Sequence, residues 1–272
     1  MPTGSHPHVA ARSEAHPAMR EKRGRVPDYM VQWAMSYPEY APVEFTADVV
    51  LQQPPWADPK DASKVAGLAQ RPSFEQSPLF ILPDGRPRNP RGRTGTTGRG
   101  MLGKWGPNHA ADPIVMRRRA NGTYAFVGIQ RSDTLQWAIP GGMVDPGESV
   151  SVTLKREFGE EAAAITDKLE RGKVQAELDR IFANGVPVYE GYVDDPRNTD
   201  NAWLETVAHL FFVDEETADK LALQSGDDAR MVRWMDVDEA LVEGDGSRGL
   251  YANHRSLILQ ALDLARAGAG AQ

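Results

Sequence analysis

No cysteine occurs among the 272 residues, which excludes disulfides, cysteine-ligated zinc, iron–sulfur clusters and thiol catalysis at the outset. No stretch approaches the roughly 20 consecutive apolar residues needed to span a bilayer, and the first residues, Met1 to His8, lack the apolar centre of a secretory signal. The expectation is a soluble chain with no membrane partner. An excess of positive charge is missing too: 31 Lys and Arg stand against 38 Asp and Glu, a formal net charge of −7. That balance leaves no broad attraction for nucleic acid, although a local basic pocket can still grip a small anion. A small phosphorylated ligand fits better than a polymer.

Regular patterning is also scarce in the first third. Residues 1–25 carry Arg12, Arg20, Arg23 and Arg25, but Glu14, Glu21 and the lack of apolar periodicity argue against an organelle transit peptide, and the segment reads as a disordered tail. Residues 26–105 are rich in proline and glycine, with strand-like runs only at 45–51 and 79–82, so they read as a small irregular N-terminal domain. Within them Gly92-Arg93-Thr94-Gly95-Thr96-Thr97-Gly98-Arg99-Gly100 has the glycines of a phosphate-cradling loop without the Gly-Lys-Ser/Thr ending of a P-loop, and reads as a linker.

From 106 to 272 the pattern becomes regular. Strands are expected at 114–119, 124–130, 137–139, 187–192, 203–213 and 232–237, and helices at 149–165, 168–182, 217–224 and 253–267. Strands and helices alternate, which points to an α/β fold.

The chemistry concentrates in one stretch: Gly141-Gly142-Met143-Val144-Asp145-Pro146-Gly147-Glu148, seven residues, then Arg156-Glu157-Phe158-Gly159-Glu160-Glu161. On a helix Glu157, Glu160 and Glu161 share one face, and like charges at these spacings cost roughly 0.2–0.5 kcal/mol per pair, so something positive belongs there. Leu154, Phe158, Ala162 and Ile165 form the opposite, apolar stripe, which would pack the helix on a sheet and aim the carboxylates at a cleft. Gly159 adds about 1 kcal/mol of helix penalty relative to alanine. Ser149 is placed to cap the helix. All-oxygen clusters suit Mg²⁺, with Mn²⁺ as a substitute, and Mg²⁺ usually takes one or two carboxylates plus waters and substrate phosphates. Gly141 and Gly142 let the main chain approach the metal or phosphate closely. Taken alone, the glutamates are equally an acidic solvated helix face.

This spacing resembles the Nudix box at every charged position; the departure is Ala163-Ala164, where the family usually has glycine and an aliphatic residue. Further segments, among them 98–114, 137–148 and 191–206, are similar to the animal mitochondrial type of ADP-ribose pyrophosphatase and to the ADP-ribose-sensing domain of melastatin-type cation channels. The resemblance implies a Nudix α/β/α sandwich with a mixed sheet, preceded by a smaller N-terminal domain that assists substrate binding, with ligand held between them. It implies Mg²⁺-dependent hydrolysis of ADP-ribose to AMP and ribose 5-phosphate, metal held by Glu157, Glu160, Glu161 and the Gly142 main chain, and Glu148 and Arg156 orienting that cluster. It further implies ligand contacts from Asp195, Arg197, Tyr251, Asn253 and His254. A forked guanidinium suits a phosphate, a carboxylate suits a ribose hydroxyl, and a tyrosine can stack or hydrogen-bond. Asp228 stands where some relatives carry a loop carboxylate acting as base; Gly226-Asp227-Asp228 is also an ordinary turn.

Two other readings stay open: a non-catalytic ADP-ribose-binding module, against which the intact Arg156-Glu157-Phe158 stands, and a Nudix hydrolase for another dinucleotide or nucleotide sugar. The chain is expected to act as a monomer in the cytoplasm, with mitochondria as the compartment the resemblance keeps open.

Overall fold

A computed structural model describes residues 8–145, 148–161, 176, 178–221, 223, 229–238, 250–251 and 253–269. They form two compact units that do not divide the chain at one point: residues up to His109 group with Gly191–Glu205, and Ala110–Glu190 groups with Thr206 onward.

The second unit is built on a mixed sheet whose main path is β5 (Trp137–Ala138), β4 (Tyr124–Arg131), β3 (Gly106–Arg118), β8 (Ala202–Val213) and β7 (Val186–Tyr192). To this path β6 (Gly142–Met143) adds on β3 and β9 (Ala229–Asp236) on β4, both antiparallel. Period-two alternation sends successive side chains to opposite faces. Val115, Val127, Ile129, Phe211 and Val213 go to one apolar layer, joined by Leu154 and Phe158 of helix α2 (Val150–Glu161). Ile114, Met116, Phe126, Leu210 and Met235 go to the other, joined by Leu257, Ile258, Ala261 and Leu262 of the C-terminal helix α4 (His254–Ala269). Helices therefore cover both faces, the α/β/α sandwich expected. Between them α3 (Glu215–Lys220) starts where the Asp214 side chain accepts from the Thr217 N–H at 2.7 Å, a cap that shifts the helix ahead of the expected 217–224. Ala162 and Ile165 lie outside the described residues.

The first unit has few regular elements. Its two-stranded sheet pairs β1 (Val43–Thr46) parallel with β2 (Thr96–Gly100). Part of the segment read as a linker is thus a strand, and the strand-like run at 45–51 ends at Thr46 and continues as the short helix α1 (Asp48–Leu51). One apolar cluster gathers Ala62, Leu68, Leu79, Trp105, Tyr192 and Trp203. Much of the remaining interior is polar: Asn89, Thr94, Thr96, Arg99, Asn198, Thr199, Asp200 and Asn201 are all buried. Gly95 shows why glycine is needed here: its φ is +84°, and a Cβ would fall 1.9 Å from the Gly24 carbonyl oxygen.

The disordered tail expected for residues 1–25 is not what residues 8–25 form. His8, Ala11, His16 and Arg23 are buried, because their polar groups find partners in the first unit. Among the described residues no helix is long and apolar enough to cross a membrane.

Candidate active site

The turn before α2 and the helix itself are tied by one arginine. Arg156 donates from Nε to Glu148 at 3.0 Å and from Nη1 to Glu160 at 2.8 Å, and it pairs with Glu157 at 2.9 Å. It also donates to the Met143 carbonyl at 3.2 Å, joining β6 to the helix. Glu148 is fixed a second time by the Thr153 hydroxyl at 2.8 Å, and Arg156 holds its carboxyl below the ordinary range. Ser149 caps the helix loosely, its hydroxyl oxygen 3.4 Å from the Val152 N–H. The positive partner that three like charges demanded is thus, in part, supplied by Arg156 from the same helix.

Glu157 is the unusual member. It is buried on the inner side of the helix, and its carboxylate lies so close to Gly142 that a Cβ there would meet it at 2.4 Å. Burial pushes its carboxyl up to about 7; Arg156 pulls the other way, and the charges of Glu160 and Glu148 add to the rise. Glu160 stands at the exposed lip of the same cluster. The donor set is oxygen alone, the glycine leaves the main chain open beside it, and a buried carboxylate that is costly to ionise gains most from a nearby cation. These residues fit a hard divalent ion. Among the described residues no three acidic or imidazole groups gather to enclose an ion, and Mg²⁺ needs only one or two carboxylates when phosphate and water complete its shell. The Glu161 side chain and Asp228 lie outside the described residues.

The loop from β5 to β6 connects this cluster to the start of α4. His254 is buried, and its Nδ1 accepts from the Ile139 N–H at 2.9 Å, which leaves the proton of a neutral ring on Nε2. The Tyr251 N–H donates to the Trp137 carbonyl at 2.8 Å, and the Arg131 guanidinium lies 4.5 Å over the Tyr251 ring. Asn253 lends its carbonyl to the first turn of α4, while its Oδ1 is buried with no hydrogen-bond partner among the described residues. A buried acceptor left unmet is costly, so this atom suits a donor from outside the chain. The sequence reading missed Arg131; its place at the end of a strand, six residues before Trp137, was the signal available.

Asp195 and Arg197 belong to the first unit. Arg197 clamps Asp195 with two parallel bonds, Nε to Oδ1 at 2.8 Å and Nη2 to Oδ2 at 2.9 Å, and its own N–H adds a third at 2.8 Å. Asp195 is 1% exposed, so in this geometry its carboxylate serves to orient the guanidinium. The structure therefore brings together Gly142, Glu148, Arg156, Glu157 and Glu160, groups Tyr251, Asn253 and His254 around one helix start, and pairs Asp195 with Arg197.

A family model described as the NUDT9-like N-terminal domain matches residues 26–106, and the NUDIX domain model matches residues 107–255. The chain is 45% identical over 277 aligned residues to the mitochondrial ADP-ribose pyrophosphatase of Rattus norvegicus, a match covering 92% of this chain and 76% of that one. It is 44% identical over 278 residues to the transient receptor potential cation channel subfamily M member-like 2 of Nematostella vectensis, covering 92% of this chain and 17% of the channel. With its glycine pair, its Arg156 cluster and a domain match spanning more than half its length, the chain belongs to the Nudix family, and carries a NUDT9-like domain ahead of its Nudix domain.

Proposed function

We propose that this protein hydrolyses the pyrophosphate of ADP-ribose to AMP and ribose 5-phosphate, using Mg²⁺, with Mn²⁺ as a substitute. One observation supports it above the others: a buried carboxylate, Glu157, lies against the open main chain of Gly142 in a chain 45% identical, over 92% of its length, to an ADP-ribose pyrophosphatase. In the reaction, a water oxygen bonds to one phosphorus and the bridging oxygen leaves on the other.

In this reading Glu157, Glu160, Glu161 and the Gly142 main chain hold the metal. A bound divalent ion supplies polarisation of a phosphoryl oxygen, a lower pKa for the attacking water and neutralisation of the departing phosphate. Arg156 and Glu148 fix the carboxylates in place. Arg197, aligned by Asp195, meets a phosphate. Asn253 Oδ1 accepts from a ligand hydroxyl or amino group, the Tyr251 ring offers a face, and His254 adds a contact while holding Ile139. Asp228 is the candidate base. Residues 26–105 act as a substrate-assisting domain and 106–272 as the hydrolase domain, in a cytoplasmic monomer with no nucleic-acid or membrane partner; mitochondria are the alternative compartment.

The test is a substrate panel. With Mg²⁺ and either ADP-ribose, NADH or a nucleotide sugar, AMP release is expected to favour ADP-ribose strongly. Preference for another dinucleotide would reassign the substrate, and tight ADP-ribose binding without turnover would make the protein a binding module.

A further inference from the structure

Residues 8–25 precede the stretch matched by the family models, which begins at residue 26. Nothing in their composition marks them as part of a site, yet in the first unit they attach repeatedly to one loop, the loop that carries Asp195 and Arg197. The Asp194 carboxylate accepts from three successive main-chain N–H groups, those of Val9 at 2.7 Å, Ala10 at 2.9 Å and Ala11 at 2.8 Å. Farther along, Arg23 is buried and donates to the carbonyl of Asn198 at 2.9 Å, to the carbonyl of Pro196, and to the Thr96 hydroxyl at 3.2 Å. Between these anchors, His16 accepts from the Ala18 N–H at 3.2 Å through Nδ1, so the proton of its neutral ring sits on Nε2, beside the Arg197 carbonyl. Gly100 makes room for that ring: a Cβ there would stand 2.8 Å from His16 Nε2 and 3.2 Å from the Arg197 carbonyl oxygen. His8 closes the set with a 2.7 Å hydrogen bond to the Tyr192 hydroxyl.

The hydrogen bonds thus fall at residues 192, 194, 196 and 198, on both sides of Asp195 and of Arg197. A carboxylate that gathers three N–H groups and a guanidinium that takes two loop carbonyls are charge-assisted bonds, stronger than neutral ones and demanding of geometry. Asp194 belongs to the loop, but the N–H groups it gathers and the guanidinium that takes the two carbonyls all come from residues 8–25. A forked phosphate contact depends on the plane of its guanidinium, so a shift of the loop that carries it weakens the bond to a phosphate.

We propose that residues 8–25 are a built-in support for the ligand loop, with Arg23 and Asp194 as positioning residues that set the Asp195–Arg197 pair for an anionic phosphate. The inference rests on the reading of Arg197 as a phosphate contact. Arg23 and Asp194 act through the loop, by their bonds to its main chain and to residues 9–11. Their loss therefore weakens binding of ground state and transition state alike, which raises KM and spares kcat.

The experiment uses the full chain with Arg23→Gln, Arg23→Lys or Asp194→Asn. ADP-ribose hydrolysis is followed with Mg²⁺, and amide hydrogen exchange is read across residues 193–200. The expected result is a KM raised about 10- to 100-fold in Arg23→Gln with kcat held within about twofold, with faster exchange in the loop. Arg23→Lys should fall between the two, since an ammonium cannot fork to two carbonyls. Unchanged KM and exchange in folded Arg23→Gln overturns the proposal, and so does a loss in which kcat and melting temperature fall with KM unmoved. If the intact chain does not turn over ADP-ribose, the functional reading fails, and the exchange measurement alone decides whether Arg23 and Asp194 order the loop.

Discussion

Strands β2 and β4 are both largely buried, yet the side chains around them are held by different forces. In β4, Phe126 faces one apolar layer while Val127 and Ile129 face the other, and none is more than 2% exposed. In and just before β2, Thr94, Thr96 and Arg99 are fully buried but live among polar partners. The Asp200 carboxylate accepts from the Thr94 N–H at 2.7 Å, the Thr94 hydroxyl at 2.8 Å and the Tyr40 hydroxyl at 2.6 Å. Arg99 donates to the carbonyls of Asp58 and Gly103. The second unit is stabilised by area removed from water, which tolerates variation in shape; the first leans on buried hydrogen bonds, where breaking one leaves a group that carries its desolvation cost.

Mutations can break that contrast. Phe126→Ala is expected to be the most damaging, costing about 3–5 kcal/mol through lost burial and a cavity, measured by chemical denaturation. Asp200→Asn removes no volume and should still cost about 1–3 kcal/mol, because an amide nitrogen then faces groups that were donating. If Asp200→Asn proves neutral, the first unit is not held by its polar network and the comparison falls.

Acid should sharpen the same difference. Burial lowers both His8 and His16 to about 4; the charges of Arg12 and Arg91 add to the fall at the first and those of Arg23 and Arg197 at the second, while Asp194 and Asp195 oppose it. A histidine whose folded pKa is depressed contributes stability that is present above its unfolded value near 6.5 and is lost as pH falls through about 4. Asp200 works in the opposite sense: burial raises it to about 6, so its contribution is present below the unfolded value of 3.8 and is lost as pH rises through about 6. The two histidines act to destabilise on acidification, on the order of 2 kcal/mol each by pH 5, and the raised carboxyls of Asp200 and Glu157 offset this. Denaturation of His8→Gln/His16→Gln at pH 7 and pH 5 should show lower stability at pH 7 and a smaller fall between the two; an unchanged fall would contradict the assignment.

The smallest effect concerns Gly159. A Cβ there would meet Leu178 Cδ1 at 3.6 Å, an ordinary contact, so Gly159→Ala should raise stability by about 0.5–1 kcal/mol, the reverse of what Gly95 would tolerate. A loss of melting temperature would show a constraint on the helix that packing does not reveal.

The same contrast explains how much was legible in the sequence. The second unit announced itself through period: the strand expected at 124–130 is β4 over Tyr124–Arg131, and the helix expected at 253–267 is α4 over His254–Ala269. The charged box, too, is a local pattern on one helix and its preceding turn, so Glu148, Arg156, Glu157 and Glu160 could be picked out before their contacts were known. A polar network has no period. Thr94 reaches Asp200, Arg23 reaches Asn198 and His8 reaches Tyr192, over separations of 106, 175 and 184 residues. Hence β2 read as a linker, since Gly95, Gly98 and Gly100 at positive φ look like loop residues, and residues 8–25 read as a tail. The unmet Oδ1 of Asn253 and the Arg131–Tyr251 stacking were likewise invisible, being set by where strands end in space.

In the proposed function, Glu157 and Glu160 turn ADP-ribose binding into hydrolysis. The most direct test is AMP release from ADP-ribose with and without Mg²⁺, comparing the intact chain with Glu157→Gln/Glu160→Gln while ADP-ribose binding is followed by calorimetry. The account expects metal-dependent turnover that falls by at least about 10²–10³-fold in the double variant, with ADP-ribose still bound. Turnover that persists in the double variant, or an intact chain that binds ADP-ribose without cleaving it, would contradict it.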